Sequence, residues 1–271
     1  LVATAAVTMP TAPGALGFLY VTGYARPLAG GNDLVFLMKV GTSGPPVSFL
    51  KIYDIEPNSD DIGATIQLNL SPAGGGDIWI AGHSYDPAAL QNVMVLKTDL
   101  NGNPVWANNY DIVGAQGGDE YATNMKLTPS NELVLTGRAE ARVAFQSTIA
   151  GDCMLMRIDA ATGAQVDWTR VYAPSNFSSE GRRVEVNAQN EYFITGTSRE
   201  VLTPSQTSAN MLAIKTDQKG KTNSSCYHDA TTAVIPRAPM QQTLRASGSI
   251  AIDQARQWVI APKFEGWVQT L

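Results

Sequence analysis

A short strand-like segment that ends in glycine occurs four times along this chain, and it constrains the fold more than any other feature. The four copies are Phe18–Gly23, Ile78–Gly82, Leu133–Gly137 and Tyr192–Gly196. Their closing glycines are 59, 55 and 59 residues apart. A repeat of this length, rich in short strands, indicates one supersecondary unit that is copied along the chain.

Each unit carries signals for four antiparallel strands. A second apolar strand follows each glycine and ends in a basic residue, namely Lys39, Lys97, Arg157 or Lys215. A polar turn comes next, such as Asp99–Gly102, whose residue types accept the backbone angles of tight hairpins. A third strand ends in tyrosine, as at Tyr110 and Tyr172, and a further strand with a two-residue period precedes each glycine segment.

Four antiparallel strands repeated around an axis form the blades of a β-propeller. We therefore predict an all-β fold, a β-propeller of four-stranded antiparallel blades, about five in number. The last blade is atypical or incomplete, because Trp258–Pro262 replaces the usual strand and glycine. The repeats run from end to end, so residues 1–271 are predicted to form a single domain. Its blades are expected to span residues 1–55, 56–112, 113–174, 175–235 and 236–271.

Composition excludes several kinds of partner. The net charge of −5 and the pI of about 5.0 give no basic surface for nucleic acid or an anionic membrane. No apolar run approaches the roughly 20 residues that span a bilayer, so we expect no membrane insertion. With only His83 and His228 as histidines, we expect no zinc or other metal site, and no cofactor. Cys153 and Cys226 are expected to be buried free thiols.

Several segments together resemble the bacterial SBBP-type β-propeller repeat. They are Tyr20–Tyr24, Gly30–Lys39, the Asp-x-Asn-Gly turn and the tryptophan-containing third strand, and the resemblance covers about residues 5 to 262. It implies a secreted or surface protein of a bacterium, Bacteroidetes-like, with a scaffold, adhesion or binding role. The family pattern brings no catalytic residue with it.

Acidic residues recur at the entrance to the innermost strand of three consecutive units. Asp61, Glu120 and Glu180 are expected to share one face of the propeller, around its channel. One interpretation is a cation site, or the acid/base pair of a glycoside hydrolase. We favour the other, in which each acid accepts a hydrogen bond from a turn amide. These acids follow the repeat, whereas a catalytic set usually breaks it, so we predict that the three are not catalytic.

Aromatic residues beside loops are further candidates for contact with a sugar or a protein. They are Tyr24, Tyr85, Tyr121 and Phe177. With the three acids they make up the predicted binding residues.

The main functional hypothesis is a non-enzymatic extracellular or cell-surface scaffold that binds a protein or glycan through one propeller face. One alternative is a carbohydrate-active enzyme or lectin that uses the channel acids. A second alternative is a structural subunit of a larger surface or secretion-related assembly, in which a partner completes the last blade.

Overall fold

A computed structural model of the protein describes most of the repeated part of the chain. The described residues are 1–9, 17–28, 30–41, 47–71, 75–86, 90–112, 118–140, 151–172, 177–203 and 206–222. All of them belong to one compact unit, Leu1–Ala233. The second unit, Val234–Leu271, lies outside the described residues, and so do the predicted fifth blade and Cys226. No helix that could cross a membrane is found in the described part of the chain.

Consecutive strands form four antiparallel sheets. Sheet 1 contains β1 (Val2–Met9), β2 (Phe18–Ala25), β3 (Leu34–Gly41) and β4 (Val47–Tyr53). Sheet 2 contains β5 (Asp60–Leu70), β6 (Gly76–Asp86), β7 (Leu90–Asp99) and β8 (Pro104–Tyr110). Sheet 3 contains β9 (Glu120–Leu127), β10 (Glu132–Glu140), β11 (Gly151–Asp159) and β12 (Gln165–Tyr172). Sheet 4 contains β13 (Phe177–Val186), β14 (Tyr192–Thr203) and β15 (Gln206–Thr216).

This arrangement confirms the prediction of an all-β fold made of antiparallel sheets. Three of the sheets have the predicted four strands, and the fourth has three among the described residues. None of the four sheets closes on itself in the described part of the chain. The number of blades stays a prediction.

The repeated glycine is required by a β-bulge in the neighbouring first strand. In sheet 2 the register between β5 and β6 shifts at Gly63, directly opposite Gly82. A Cβ atom at Gly82 would collide with the carbonyl oxygen of Ile62, and one at Gly137 would collide with that of Tyr121. Only glycine lets the two backbones approach this closely.

The first strands of consecutive sheets lie side by side. β1 contacts β5, β5 contacts β9, and β9 contacts β13. Between β9 and β13, Thr123 Oγ1 donates to the Gly181 carbonyl at 2.6 Å, and Lys126 pairs with Glu185 at 3.2 Å. Because the contacts advance along both strands together, β9 and β13 run in the same direction. The starts of the first strands therefore lie at the same end of their sheets.

The third-strand tyrosine and the Asp–Gly turn meet between neighbouring sheets. Each tyrosine hydroxyl donates to the carbonyl of the turn glycine in the next sheet. The pairs are Tyr53 with Gly102 at 2.8 Å, Tyr110 with Gly163 at 2.6 Å and Tyr172 with Gly220 at 2.8 Å. These glycines have φ values of 74°, 74° and 66°, which L side chains rarely adopt. Two sequence features about 50 residues apart thus form one contact.

Apolar side chains fill the spaces between neighbouring sheets. Tyr20 and Val35 of sheet 1 pack with Ile78 of sheet 2, and Val93 of sheet 2 packs with Met154 of sheet 3. Between sheets 3 and 4 the core includes Cys153, a buried free thiol whose pKa burial raises to about 12. A thiol in this environment stays protonated and behaves as a small apolar group.

Tyr172→Phe tests the tyrosine–turn contact. The variant keeps the buried ring but removes the hydroxyl that bonds to Gly220. The free energy of unfolding should fall by about 1–2 kcal/mol, because the Gly220 carbonyl loses a buried partner. Urea denaturation measures the difference. Tyr85→Phe is the control, since the described residues give the half-buried Tyr85 hydroxyl no hydrogen bond. Equal loss of stability in the two variants would contradict the proposed role of the contact.

Candidate functional site

Two of the three predicted acids are buried and accept hydrogen bonds from backbone amides of the connections between sheets. Asp61 Oδ2 accepts a hydrogen bond from the backbone N–H of Ile55 at 2.6 Å, and Oδ1 accepts one from Ser84 Oγ at 2.5 Å. Glu120 Oε2 accepts one from the backbone N–H of Ile112 at 2.9 Å. Both acids are buried, and burial raises the pKa of Asp61. Each of these hydrogen bonds connects the segment that leaves one sheet to the first strand of the next sheet.

Glu180 does not occupy the equivalent position. Asp61 and Glu120 each lie two residues before the residue that pairs with the repeat glycine, whereas Glu180 lies one residue before it. Successive side chains in a strand point to opposite faces, so Glu180 faces the other way. The true counterpart in sheet 4 is Ser179, whose Oγ accepts the backbone N–H of Cys153 at 2.9 Å. The structure therefore does not bring the three acids together as one set.

The row of side chains that includes Glu180 differs from sheet to sheet. The cross-strand pairs at this level are Ile62 with His83, Tyr121 with Arg138, and Glu180 with Thr197. We call His83, Tyr121, Arg138 and Glu180 the variable row. The pairs on either side of these contain, from sheet to sheet, the repeat glycine or a buried acid or serine. The pairs named here share no residue type between sheets. Residues that depart from an otherwise regular pattern are the natural candidates for function.

Members of the variable row interact across sheets 2, 3 and 4. The rings of His83 and Tyr121 meet edge to face, with centroids 6.2 Å apart. Burial raises the pKa of Tyr121, the charge of Glu180 raises it further, and Arg138 lowers it. Glu180 Oε2 pairs with Arg182 Nη2 at 3.0 Å. Its other oxygen, Oε1, is buried and has no hydrogen-bond partner among the described residues.

Asp152, the second residue of β11, pairs with Ala139, which also pairs with Glu120, so its carboxyl group starts from the face of sheet 3 opposite Tyr121 and Arg138. Burial raises its pKa to about 6, and the nearby Arg138 acts in the opposite direction. The charges of Asp152 and Glu180 both act on Cys153, so the two carboxyl groups lie around the same buried thiol. A carboxyl group that holds its proton close to neutral pH has the property required of a general acid.

His83 is held in its neutral form by its surroundings. Burial lowers its pKa, while Asp119 and Asp60 act in the opposite direction. No group of three or more His, Cys, Asp or Glu within the described ranges is arranged to hold a metal ion. The variable row itself offers a neutral imidazole, a phenol, a guanidinium and one carboxyl group, and Asp152 adds a second carboxyl group from the opposite face of sheet 3.

The predicted aromatic contacts lie at different places. Tyr121 belongs to the variable row. Tyr24 follows its repeat glycine in sheet 1, as His83 does in sheet 2, and the guanidinium of Arg26 lies 5.9 Å from its ring centroid. Tyr85 pairs with Asp60 near the start of β5. Phe177 begins β13, and its side chain lies outside the described residues.

Sequence reasoning missed His83, Arg138 and Asp152 as members of a site. His83 and Arg138 each follow a repeat glycine, in the column that also holds Tyr24 and Thr197. Comparison of the four units column by column would have shown that this position varies while its neighbours do not. Asp152 carries no such signal, because its position depends on the pairing of β10 with β11.

Comparisons with known proteins find a likeness only to solved structures. No family model matches the chain, and no curated protein matches it. Two structures of the α-L-arabinofuranosidase Arb93A from Fusarium graminearum, one of them a mutant, are similar; both are complexes with an iminosugar inhibitor. Identity is 12% in each case, with TM-scores of 0.49 and 0.48. The likeness covers 80% of this chain but only 63% and 62% of the enzyme chains.

This finding corrects the main functional hypothesis. Both similar structures are of a glycoside hydrolase, so the prediction of a non-enzymatic scaffold is wrong, and the carbohydrate-active alternative is the better supported one. A likeness at this identity transfers no activity from one chain to another. The function proposed below therefore rests on the residues of this chain.

Asp152→Asn should change how stability depends on pH. The folded protein keeps the Asp152 proton up to a pKa of about 6, whereas an unfolded carboxyl group releases it near pH 4. The stability that this proton contributes is present below about pH 4 and is lost as the pH rises through 6. The variant should therefore be more stable than the wild type at pH 7.5, by on the order of 1 kcal/mol after solvent screening, with little difference at pH 4.5.

Asp99→Asn gives a control of opposite sign. Slight burial acts to raise the pKa of Asp99, but hydrogen bonds from Asn103 and Asn101 outweigh it and lower the pKa. This variant should lose stability at neutral pH and lose less as the pH falls. Urea denaturation of both variants between pH 4.5 and 7.5 measures the two trends. Parallel curves for Asp152→Asn and the wild type would contradict the raised pKa.

Proposed function

We propose that this chain is a carbohydrate-active protein that binds and hydrolyses a glycan at the variable row. The observation that carries the proposal is a pair of carboxyl groups in different environments whose charges both act on Cys153. Asp152 holds its proton up to a pKa of about 6. Glu180 is ion-paired through Oε2, and its charge raises the pKa of the neighbouring Tyr121. Two carboxyl groups of this kind are what glycoside hydrolysis requires.

Each carboxyl group has a distinct role in the proposed reaction. Asp152 donates its proton to the glycosidic oxygen as the bond to the leaving sugar breaks. Glu180, as a carboxylate, acts on the other side of the sugar, either on a water molecule or directly on the anomeric carbon. Arg138 lowers the energy of the Asp152 carboxylate that remains after proton transfer, since its charge favours the ionised form.

The aromatic members of the variable row suit a sugar ligand. The edge-to-face pair of His83 and Tyr121 offers apolar ring surface next to the polar groups. Burial keeps His83 neutral, so the ring can donate or accept a hydrogen bond without adding charge. Sugars combine apolar faces with hydroxyl groups, and this combination of rings and polar atoms matches them.

The proposal includes the architecture and the location that the repeats imply. The four sheets are the first four blades of a β-propeller of about five, and residues 236–271 supply the last, atypical blade. The starts of the first strands then surround a channel, and the variable row lies at its rim. We place the protein outside the cell or on its surface, as in the bacterial SBBP-type repeat proteins that it resembles. A glycan is its partner there, and its acidic pI argues against nucleic acid.

Turnover of a glycan panel tests the proposed reaction. The panel contains α-L-arabinofuranosyl, xylosyl, glucosyl and galactosyl oligosaccharides. Asp152→Asn and Glu180→Gln should each lower kcat by about 100-fold or more on the substrate that the wild type cleaves. In the wild type, activity should also fall above pH 6, because Asp152 loses the proton that it donates. Turnover that survives in both variants would overturn the assignment.

Two matched variants separate catalysis from stability in this test. Glu185→Gln changes an exposed acid on the same strand as Glu180, and its kcat should equal that of the wild type. Asp61→Asn should lower the unfolding temperature, because Asp61 supports the connection into β5, and should leave kcat of the folded protein unchanged. Glycan binding without any turnover would overturn the hydrolase and favour a lectin.

A further inference from the structure

A cavity lies between sheets 3 and 4, at the end of the sheets away from the variable row. Its volume is about 360 Å³. The lining consists of Arg157, Trp168, Arg170, Asn190, Tyr192, Gln218 and Lys219. These residues come from β11, β12, the turn that precedes β14, the start of β14 and the turn that follows β15. A volume of this size falls in the range of small-molecule sites and suits a single sugar ring with its substituents.

Four polar atoms of this lining are buried without a hydrogen-bond partner among the described residues. They are Arg157 Nε, Trp168 Nε1, Asn190 Oδ1 and the Tyr192 hydroxyl. Tyr192 is fully buried, with 0% of its surface exposed. Buried polar groups in native proteins are nearly always satisfied, so a cluster of four that are not indicates a place where a ligand satisfies them.

The indole N–H that corresponds to Trp168 Nε1–H is satisfied between sheets 2 and 3. Trp106, the counterpart of Trp168, donates its Nε1–H to the Ala161 carbonyl at 2.9 Å. Trp79 donates to the Ala160 carbonyl at 3.1 Å. Both carbonyls belong to the turn Asp159–Gly163, whereas the turn of sheet 4, Asp217–Gly220, is one residue shorter. The shorter turn presents no carbonyl to Trp168 Nε1, so this open donor goes with a difference of one residue in the facing turn.

The lining is rich in donors and carries positive charge. The guanidinium carbons of Arg157 and Arg170 each lie 5.6 Å from the centroid of the Trp168 ring. The charge of Arg157 is balanced by Glu132, whose Oε2 lies 2.5 Å from Arg157 Nη2. Within the described ranges no carboxylate forms an ion pair with Arg170 or Lys219. A ligand that complements this lining has a negative charge, several acceptor oxygens and a hydroxyl group to donate to Asn190 Oδ1.

We propose that this cavity binds an acidic sugar, a hexuronate unit. Its carboxylate pairs with Arg170 and Lys219 at the open side. Its ring oxygen and hydroxyl groups accept from Trp168 Nε1 and Arg157 Nε, and its hydroxyl groups bond with Tyr192 and Asn190. The site is separate from the variable row, and its existence does not depend on the proposed hydrolysis.

Calorimetric titration of the full chain with galacturonate and glucuronate tests the site. Both acids, or one of them, should bind, and galactose and glucose should bind at least tenfold more weakly because they lack the carboxylate. A titration with inorganic phosphate shows whether the cavity binds any small anion. Phosphate that binds as tightly as the uronates, neutral sugars that bind equally well, or uronates that do not bind at all would each overturn the proposal.

Tyr192→Phe gives a readout that a structural role alone would not produce. The variant removes a buried hydroxyl that has no partner in the described part of the chain, so stability should stay the same or rise. Affinity for the uronate should fall about five- to tenfold. Tyr20→Phe is the matched control: its hydroxyl donates to the Leu100 carbonyl at 3.0 Å, so this variant should lose stability and keep full affinity. Unchanged affinity in Tyr192→Phe would overturn the proposal.

Discussion

The close approach of the repeat glycine to the bulged first strand is the contact on which the rest of the structure depends. At Gly82 and Gly137 the facing carbonyl oxygen occupies the space that a Cβ atom would need. The bulge bends the first strand and increases its twist. Bent in this way, successive first strands lie side by side, and Thr123 can donate across to the next sheet. Asp61 and Glu120 each lie two residues before the residue that faces this glycine.

Side chains on the two faces of the first strands make different kinds of contact. Asp61 and Glu120 point to one face, where they are buried and hold backbone amides of the connections. Tyr121 and Glu180 point to the other, where they meet residues of different sheets. An offset of one residue along a strand therefore separates acids that bond to backbone amides from an acid that pairs with the side chain of Arg182.

Much of the fold could be predicted from the sequence because its signals are local. The two-residue alternation gives the strands, and the glycines and Asp–Gly turns give their limits. The different register of Glu180 could also be predicted, because Glu120 lies 17 residues before Gly137 whereas Glu180 lies 16 residues before Gly196. The interpretation of the three acids as one repeated set was wrong, because Glu180 lies one residue out of register with Asp61 and Glu120.

Other features could not be predicted, because they depend on contacts between distant segments. The raised pKa of Asp152 comes from burial that only the packing of the sheets creates. The cavity beside Trp168 depends on a turn about 50 residues further on being one residue shorter than its counterpart. A difference of one residue in a turn carries no meaning until the side chain that it faces is known.

The tyrosine–turn contact has a consequence for how such a chain grows. Sheets 2 and 3 each offer a hydroxyl at one side and a glycine carbonyl at the other, so the three junctions between the described sheets use the same donor and the same acceptor. A gene duplication that inserts a whole unit between two others would find both of its neighbours already complementary to it. Lengthening the array would thus require no new interface.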